Sequence, residues 1–545
     1  MKRRTFLRLS GQAQSTDSFP VINGDLSPYT GVWSMRQATH LARRLMFGAN
    51  LDDISYFERL GMQQSVNNLL RPERKPPQPI NDYNTDEFTD PDVGFGASWI
   101  NAPRNIEVEG ARIWSLKCWW MGNMIEQGRH ISEKMLLFWF NHIPIQFYDI
   151  FFGRWDYRYL ETLRVHSLGN FRDMIRAVCI DHAMLHYLNG QYNSKEAPDE
   201  NFARELQELF CIGKGPNAAY TEGDVQEAAK VLTGWRVNYQ NDEIYFSGYD
   251  HDKSDKVFSS FYGNKVIEGK TGQSGAQELD ELLDMIFENS ECALFICRKI
   301  YRYFVHHNIT AWTEENIIAP LAEVFRNNNY EITPVLRTLF SSQHFFDQLR
   351  MGALIKSPTD FIASLYRDFN TAIPGRTQRR DRYQHNSHLV YQSYLFDQNL
   401  GDPPNVAGYP AYYQVPNFDK AWINTNTLPR RANLTDWILW AGVSSDNFVA
   451  QLNILGTVAK IPEAEDPNAL IDFILKWQYP TAVSDNFRRQ LKAILLSGQS
   501  NDYYWTNAWY EYLDDPDDEM KRETVRNRLL SFFYTLLHQE EYQLS

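Results

Sequence analysis

The sequence predicts a mainly α-helical protein: one large multi-helix domain with two irregular, loop-rich insertions. Apolar residues recur at helical spacing through most of the 545 residues. Several of these periodic segments end at a glycine, and strand-like patterns are confined to one short stretch. Hydrophobic residues make up 43% of the chain and aromatic residues 14%, which is enough to bury one large core or two ordinary ones. We therefore expect packed helices with many buried rings.

The elements follow in order. Helical spacing begins near Met35 in "MRQATHLARRLMFG", and a second short helix fits "LDDISYFERLG". Residues 73–105 are rich in Pro, Asn and Asp, which predicts a long loop. From about 107 to 235 the pattern is nearly continuous helix. The segment 237–275 contains "EIYFSGYD" and "KVFSSFYGNKVIEG", which predict a first insertion with a small β-hairpin near 240–270.

Helices resume after residue 275. A second insertion, 370–432, has many Gly, Pro, Asn and aromatic residues. The helical domain with its insertions therefore covers residues 31–435. Residues 436–545 are helical and acidic, and we expect them to pack on the same body.

Residues 1–30 resemble a flexible leader. The start, "MKRRTFLRLSG", is similar to a twin-arginine export motif, but the polar residues that follow do not supply the apolar segment of a signal peptide. The compartment therefore stays open between an exported, periplasmic protein and a cytoplasmic one.

Charge and composition exclude several classes of partner. The net charge of −14 argues against a nucleic-acid partner, and no apolar run approaches the roughly 20 residues of a membrane span. The five cysteines are odd in number and no pair has CxxC spacing, which favours buried thiols over disulfides or a zinc site.

Long stretches of the chain resemble a known family. The stretches "ATHLARRLMFG", "EKMLLFWFNH", "NFRDMIRAVCIDHAMLHYLNG", "APDENFARELQELF", "YTEGDVQEAAKVLTGW" and "LGDPPNVAGYPAYYQVPNFDKAWINTNTLPRR" look like successive blocks of the domain-of-unknown-function 1800 family, over residues 35–435. The resemblance implies a bacterial, often exported protein with a sulfatase-like or phosphatase-like partner. Phe140 replaces the first histidine of the family's Trp-His-Asn-His block, and Tyr409 replaces a tryptophan. These departures weaken a two-histidine ligand set.

One helix carries more charge beside its apolar face than packing requires. In "NFARELQELF", Asn201, Glu205 and Glu208 fall within about 60° of one another, next to the apolar stripe. The two carboxylates can bind a divalent metal with a ligand from another helix, or pair with arginines in a buried network. The network is favoured because a Glu-x-x-His motif is absent from this helix. We expect the Glu205/Glu208 face to be buried against Arg43, Arg44 or His142.

Three histidines and one loop complete the candidates. His142 ends an apolar helix, His40 precedes the paired arginines, and His251 lies in the first insertion. The rings of "GDPPNVAGYPAYYQVPNFDKAWINTN" can stack on sugars or peptides, or simply dock on the core. The catalytic candidates are Glu205, Glu208, His142 and His251; the metal-ligand candidates are Glu205, Glu208 and His142; the binding candidates are Arg43, Arg44, His40, Asn201, Arg204, Tyr409, Tyr412 and Trp422.

Two classes of function remain. The chain has no GxSxG, GxxxxGK[ST], HExxH or strand-linked GxGxxG motif. This favours an accessory or binding protein for a protein partner or glycan in an exported bacterial system. The alternative is an enzyme or enzyme subunit with a polar His/Arg/Glu site that works with the sulfatase-like or phosphatase-like partner. The cofactor is not specified by the sequence: a divalent metal is possible but not favoured.

Overall fold

The computed structural model describes residues 24–545, and the twin-arginine-like motif at residues 1–11 lies outside them. Residues at the end of the expected leader pack on the body. The Tyr29 N–H donates to the Ser341 carbonyl at 2.8 Å, and the Gly24 carbonyl lies 2.9 Å from Nδ1 of His344. This part of the expected flexible leader is therefore held by backbone hydrogen bonds.

The described residues confirm a mainly α-helical fold. The helices before the first insertion are α1 (Met35–Leu45), α2 (Leu51–Leu60), α3 (Met62–Leu69), α4 (Glu109–Glu126), α5 (Ser132–His142), α6 (Phe147–Ile150), α7 (Gly153–His166), α8 (Phe171–Cys179), α9 (His182–Tyr187), α10 (Glu200–Glu205) and α11 (Glu222–Val231). A π-helical turn, Leu206–Cys211, continues α10.

The remaining helices follow the first insertion. They are α12 (Glu278–Glu288), α13 (Ser290–Phe304), α14 (Ala311–Thr313), α15 (Ala319–Asn327), α16 (Ile332–Phe340), α17 (Pro358–Asp368), α18 (Arg379–Leu395), α19 (Thr427–Trp440), α20 (Ile454–Val458), α21 (Pro467–Gln478), α22 (Asp485–Leu495), α23 (Tyr503–Asp514) and α24 (Glu519–Leu537). Short 3₁₀ and π turns connect several of them.

The strands within residues 24–545 form two-stranded antiparallel hairpins. They are β1 (Trp235–Asn238) with β2 (Glu243–Phe246), β3 (Lys256–Val257) with β4 (Val266–Ile267), and β5 (Val443–Ser444) with β6 (Val449–Ala450). In the first hairpin Trp235 pairs with Phe246 and Asn238 with Glu243. The first two hairpins confirm the small β structure expected in the first insertion.

The second insertion differs from the prediction because α18 lies inside it. Its sequence, "RRDRYQHNSHLVYQSYL", has no clear apolar stripe, yet α18 packs along α4. Its buried polar side chains are hydrogen-bonded there: the Asn386 amide donates to the Cys118 carbonyl at 3.1 Å, and Nε2 of His385 lies 2.9 Å from the Tyr366 hydroxyl. Hydrogen-bonded polar groups thus pack beside the buried apolar residues Leu389 and Val390 in this helix.

Helix α5 lies at the centre of the fold, and every one of its residues is buried. One continuous apolar cluster extends from Ala38 of α1 to Tyr542, beyond α24. All five cysteines are free and buried. No helix in the described part of the chain combines the length and the apolar character that crossing a bilayer requires.

Candidate functional site

The aromatic loop, defined here as residues 399–426, lies against the end of α5. The Tyr409 N–H donates to Oδ1 of Asn141 at 2.9 Å, and the Tyr409 hydroxyl donates to the Asn399 carbonyl at 2.6 Å. Gly408 allows this approach, because its φ is +87° and a Cβ there would lie 2.3 Å from the Asn141 carbonyl oxygen. The loop is therefore fixed on the most buried helix.

Most rings of the aromatic loop face inward. Tyr409 is fully buried and Trp422 is 3% exposed, so neither presents a free face for stacking. Tyr412 is half-buried and stacks on Tyr303 with centroids 5.1 Å apart. These three rings therefore pack on the core and are not available for stacking on a sugar or peptide. The outer surface of the loop is the part that a ligand can reach.

Beneath the loop lies a small, partly open cavity of about 30 Å³ with a charged lining, room for one or two water molecules. Four of the predicted binding residues line it together: Arg43, Arg44, Tyr412 and Trp422. Lys134, Arg302, His307, Asp360 and Asp419 complete its charged lining. The structure therefore joins the paired arginines to the aromatic loop.

The partners of the arginines differ from those expected. Arg43 Nη2 lies 3.0 Å from Oδ2 of Asp368, and Arg43 also donates to the Gln478 carbonyl at 2.9 Å. Arg44 donates to the Arg350 carbonyl at 2.8 Å. The expectation that these arginines bury the Glu205/Glu208 face is wrong: Arg43 bonds to residues of α17 and α21, and Arg44 bonds to the carbonyls of Phe304 and Arg350.

Buried cations dominate this polar centre. Lys134, inside the apolar run of α5, pairs with Asp360. Burial lowers the pKa of Arg44 to about 10, and burial together with nearby Arg43 lowers the pKa of Lys356 to about 7. Arg431 is fully buried, and burial lowers its pKa to about 9. Positive charge is therefore held at high desolvation cost in this region.

The sequence reasoning missed several residues of the polar centre: Lys134, Lys356, Asp360, Asp368, Asp419 and Arg431. Lys134 carried a usable signal, since a lysine in the run "EKMLLFWF" needs a partner when that helix is buried. The other five residues lie in helices or loops where no long apolar run surrounds the charged side chain, so the sequence does not indicate that they are buried.

The outer face of the aromatic loop forms one wall of an open groove of about 640 Å³. The groove runs between the end of α18, the loop and the start of α19, and Tyr394 at its rim is 53% exposed. Polar side chains line it: Asp397, Asn399, Asp402, Asn426 and Arg430. Its size lies within the range of ligand sites.

Several groups of this outer groove are held in place by their neighbours. Asn424 donates to Oδ2 of Asp397 at 3.1 Å, and Arg430 donates to the Leu395 carbonyl at 3.2 Å. Asp402 pairs with buried Lys117 and accepts from the Tyr148 N–H at 2.9 Å. These contacts fix the positions of several polar groups in the groove.

The Glu205/Glu208 helix lies apart from the polar centre. Glu208, in the π-helical turn, pairs with Lys214, while Oε2 of Glu205 is buried and makes no hydrogen bond to the described residues. Burial and the nearby Glu208 raise the pKa of Glu205. Arg204 pairs with Glu200 at 3.0 Å and with Glu222, so it stabilises the α10–α11 pair.

Asn201 and His142 make hydrogen bonds at opposite ends of this helical segment. The Asn201 N–H donates to the Asp199 side chain, the N-cap of α10, at 2.8 Å. His142 Nε2 lies 2.9 Å from the Phe210 carbonyl in the π-helical turn, and burial lowers the pKa of His142 to about 3. His142 therefore contacts the turn that contains Glu208 by a backbone bond and does not pair with either carboxylate.

The other two histidines contact groups within the fold. His40 Nε2 lies 3.0 Å from the Phe345 carbonyl, and burial lowers its pKa to about 3. His251 is fully buried, with Nε2 3.0 Å from Oε1 of Glu278, which also pairs with Lys256 at 2.6 Å. This trio ties the first insertion to α12.

The candidate metal ligands do not form a complete set. Among residues 24–545 no group of three or more His, Cys, Asp or Glu side chains is arranged to hold a metal ion. Phe140, at the position of the family's first histidine, is fully buried against Trp120 and Phe147. That position therefore contributes to the apolar core in this chain.

The protein is thus a helical scaffold with a cation-rich polar centre and one long loop anchored above it. The family follows from its sequence. The profile of the family described as protein of unknown function (DUF1800) matches residues 40–544, and the chain belongs to this family. The match continues beyond residue 435, so it includes the C-terminal helices. Neither a curated protein nor a solved structure gives a significant match.

Proposed function

We propose that this protein is a non-catalytic binding protein that holds a glycan in the groove on the outer face of the aromatic loop. The observation that supports the proposal is a fixed groove with one exposed ring at its rim. Tyr394 is 53% exposed and can stack on a sugar ring, while Asp397 and Asn426 line the groove beside it. Sugar hydroxyls both donate and accept, so they suit a mixture of carboxylates and amides.

A glycan fits this groove better than a peptide does. Peptides are usually held by a free strand edge, a hydrophobic helix-binding groove or an aromatic channel for proline. The walls here are the end of α18, the loop and the start of α19, and their buried rings, Tyr409 and Trp422, are not free for such contacts. A protein partner is therefore the less favoured occupant.

Replacing Tyr394 with alanine is expected to weaken glycan binding about ten-fold, since loss of a stacked ring costs roughly 0.5–1.5 kcal/mol and ten-fold corresponds to about 1.4 kcal/mol. Isothermal titration calorimetry with cellohexaose, maltohexaose, chitohexaose and mannohexaose measures this effect. The matched control is Tyr510→Ala on α23, because Tyr510 is also 53% exposed. Absence of binding to all four glycans, or equal loss in both variants, contradicts the proposal.

A second candidate function is proton-transfer catalysis at Glu205. One observation favours it: a half-buried carboxyl group with an unpartnered oxygen and a raised pKa precedes a π-helical turn, and such turns are frequent at functional sites. None of the cavities described above is lined by Glu205 or Glu208, so the observation supports this candidate less strongly.

The variant Glu205→Gln is expected to keep or raise the free energy of unfolding at pH 7, by up to about 1 kcal/mol. The pKa of Glu205 is higher in the folded state than in the unfolded state, so its ionisation above pH 4.5 destabilises the fold, and glutamine removes this cost. Urea denaturation checks the result, with Glu208→Gln as the control that loses an ion pair. A loss of more than 1 kcal/mol for Glu205→Gln contradicts the expectation.

For catalysis, the same variant must abolish an activity. A screen with chromogenic glycosides and esters supplies the measurement. An activity that declines above the raised pKa of Glu205 and disappears in Glu205→Gln supports the enzyme. An activity that survives the substitution excludes Glu205 as its acid.

A further inference from the structure

A second, larger cleft lies on a different part of the molecule. It has a volume of about 1000 Å³ and is formed by α2, the segment 71–74, the end of α4 and the residues that follow α17. A neighbouring hollow of about 540 Å³ shares its wall at Glu126, Gln127 and Arg376. Together they form one open depression, here called the arginine cleft, which has no lining residue in common with the glycan groove.

Buried polar groups in this cleft lack partners. Gln127 is 6% exposed, and neither its amide nitrogen nor its amide oxygen makes a hydrogen bond to the described residues. Thr371 is 8% exposed, and its hydroxyl also makes none. Both residues line the cleft. An unpaired buried polar group costs about 1–3 kcal/mol, and a ligand that supplies hydrogen bonds to these groups would recover part of this cost.

The floor beneath Gln127 is rigid. Arg367, in the last turn of α17, donates to the carbonyls of Ile125 at 2.9 Å and Gln127 at 2.7 Å. It also donates to the Gly48 carbonyl at 3.1 Å. The backbone that carries the unpaired amide is therefore held in place before any ligand binds.

The cleft is positive in a chain of net charge −14. Six cationic side chains line it, Arg71, Arg74, Lys75, Arg129, Arg367 and Arg376, against four carboxylates, Asp53, Glu73, Glu126 and Glu133. Arg129 pairs with Asp53 at 2.8 Å, and Arg376 lies 3.4 Å from Glu126. Arg71 and Arg74 at the rim are exposed and have no ion pair with the residues that the structure describes. Two guanidinium groups thus remain for an anionic ligand.

We propose that the arginine cleft binds an anionic saccharide, a sugar that carries carboxylate, phosphate or sulfate groups. Arg71 and Arg74 hold the anionic groups by bidentate hydrogen bonds. The Gln127 amide and the Thr371 hydroxyl have almost no accessible surface, so they bond to sugar hydroxyls only after their side chains turn towards the cleft. The lining is mostly polar and charged, which disfavours a lipid or an apolar peptide. This site does not depend on the glycan groove of the proposed function.

The test compares probes of different charge by isothermal titration calorimetry on the full chain. The anionic probes are trigalacturonate, glucose 6-phosphate and a chondroitin sulfate tetrasaccharide, and they distinguish the three kinds of anionic group. We expect at least one to bind ten-fold more tightly than neutral maltotriose, with affinity that falls as salt is raised. Equal binding of maltotriose, or tighter binding of a hexaglutamate peptide, overturns the proposal.

Two variants locate the site. The double variant Arg71→Ser/Arg74→Ser is expected to weaken binding at least ten-fold, because both side chains are exposed and their loss removes the anion contacts. Gln127→Leu is expected to weaken binding about five-fold without loss of thermal stability, since its amide has no partner in the fold.

The control for the double variant is Arg59→Ser/Arg489→Ser, which removes the same charge from two exposed arginines outside the cleft. Equal loss in this control shows non-specific attraction and overturns the site. Tyr394→Ala is expected to leave anionic binding unchanged, so failure of the glycan groove and failure of the arginine cleft give different results.

Discussion

Replacing Asp368 with alanine is expected to lower the free energy of unfolding by about 3–5 kcal/mol, as found when one partner of a buried ion pair is removed. The Asp368 side chain is fully buried, accepts from Arg43 at 3.0 Å and accepts from the Ala49 N–H at 2.8 Å. Without it, Arg43 keeps only amide and carbonyl acceptors from Gln478. Urea denaturation followed by circular dichroism measures the loss.

The control is Asp472→Ala, which removes the exposed partner of Arg488. Because this ion pair is open to solvent, with Asp472 about half exposed, the change should stay below about 1 kcal/mol. The double variant Arg43→Met/Asp368→Leu should recover much of the loss by removing both charges. A loss below 1 kcal/mol for Asp368→Ala would show that the buried pair does not stabilise the polar centre.

Replacing Lys356 with methionine is expected to stabilise the protein by about 2–4 kcal/mol below pH 7. Lys356 is 3% exposed, and Nζ has no hydrogen-bond partner among the described residues and lies 3.9 Å above the Tyr542 ring. Burial and Arg43 lower its pKa from 10.5 to about 7 in the folded state. Methionine fills similar space without the charge.

The pH dependence gives the sign of this effect. Between about pH 7 and 10.5 the unfolded chain binds the lysine proton and the folded chain does not, so the free energy of unfolding rises with pH in the wild type. The Met variant should lack this slope, and its advantage should shrink towards pH 10. Lys476→Met, at an exposed position on α21, is the control and should change stability by less than about 0.5 kcal/mol. A pH-independent difference for Lys356→Met would mean that Lys356 is charged throughout this range.

The fold was largely predictable because most helices bury one apolar face, and their spacing is visible in the sequence. The exception, α18, packs with hydrogen-bonded side chains such as His385 and Asn386, and a pattern of apolar residues does not report this kind of packing. The first insertion was recognised because its β-branched and aromatic residues break the helical spacing.

The candidate site was predictable only in part. The sequence marked the paired arginines and the aromatic loop as separate candidates, and it did not predict that they line one cavity. Asp368, the partner of Arg43, lies 325 residues away along the chain, and helical spacing holds no information over such a distance. The charges of Glu205 and Glu208 made this helix face visible in the sequence. Its contacts are local, because Glu208 lies in the π-helical turn and pairs with Lys214, six residues further on. Long-range pairing of buried charges requires the tertiary structure.

The hydrogen bond between Arg43 and Gln478 has a consequence for folding during synthesis. It joins positions 435 residues apart, so α1, the first helix of the described residues, emerges from the ribosome long before α21 exists. Until then the Arg43 guanidinium remains hydrated. If α1 packed fully before α21 was made, Arg43 would be buried without its hydrogen bond to Gln478. Contacts of such high sequence separation slow folding, and incomplete intermediates expose apolar surface. The contact between α1 and α21 is therefore completed only after most of the chain has been made, although α1 can pack on the neighbouring α2 earlier.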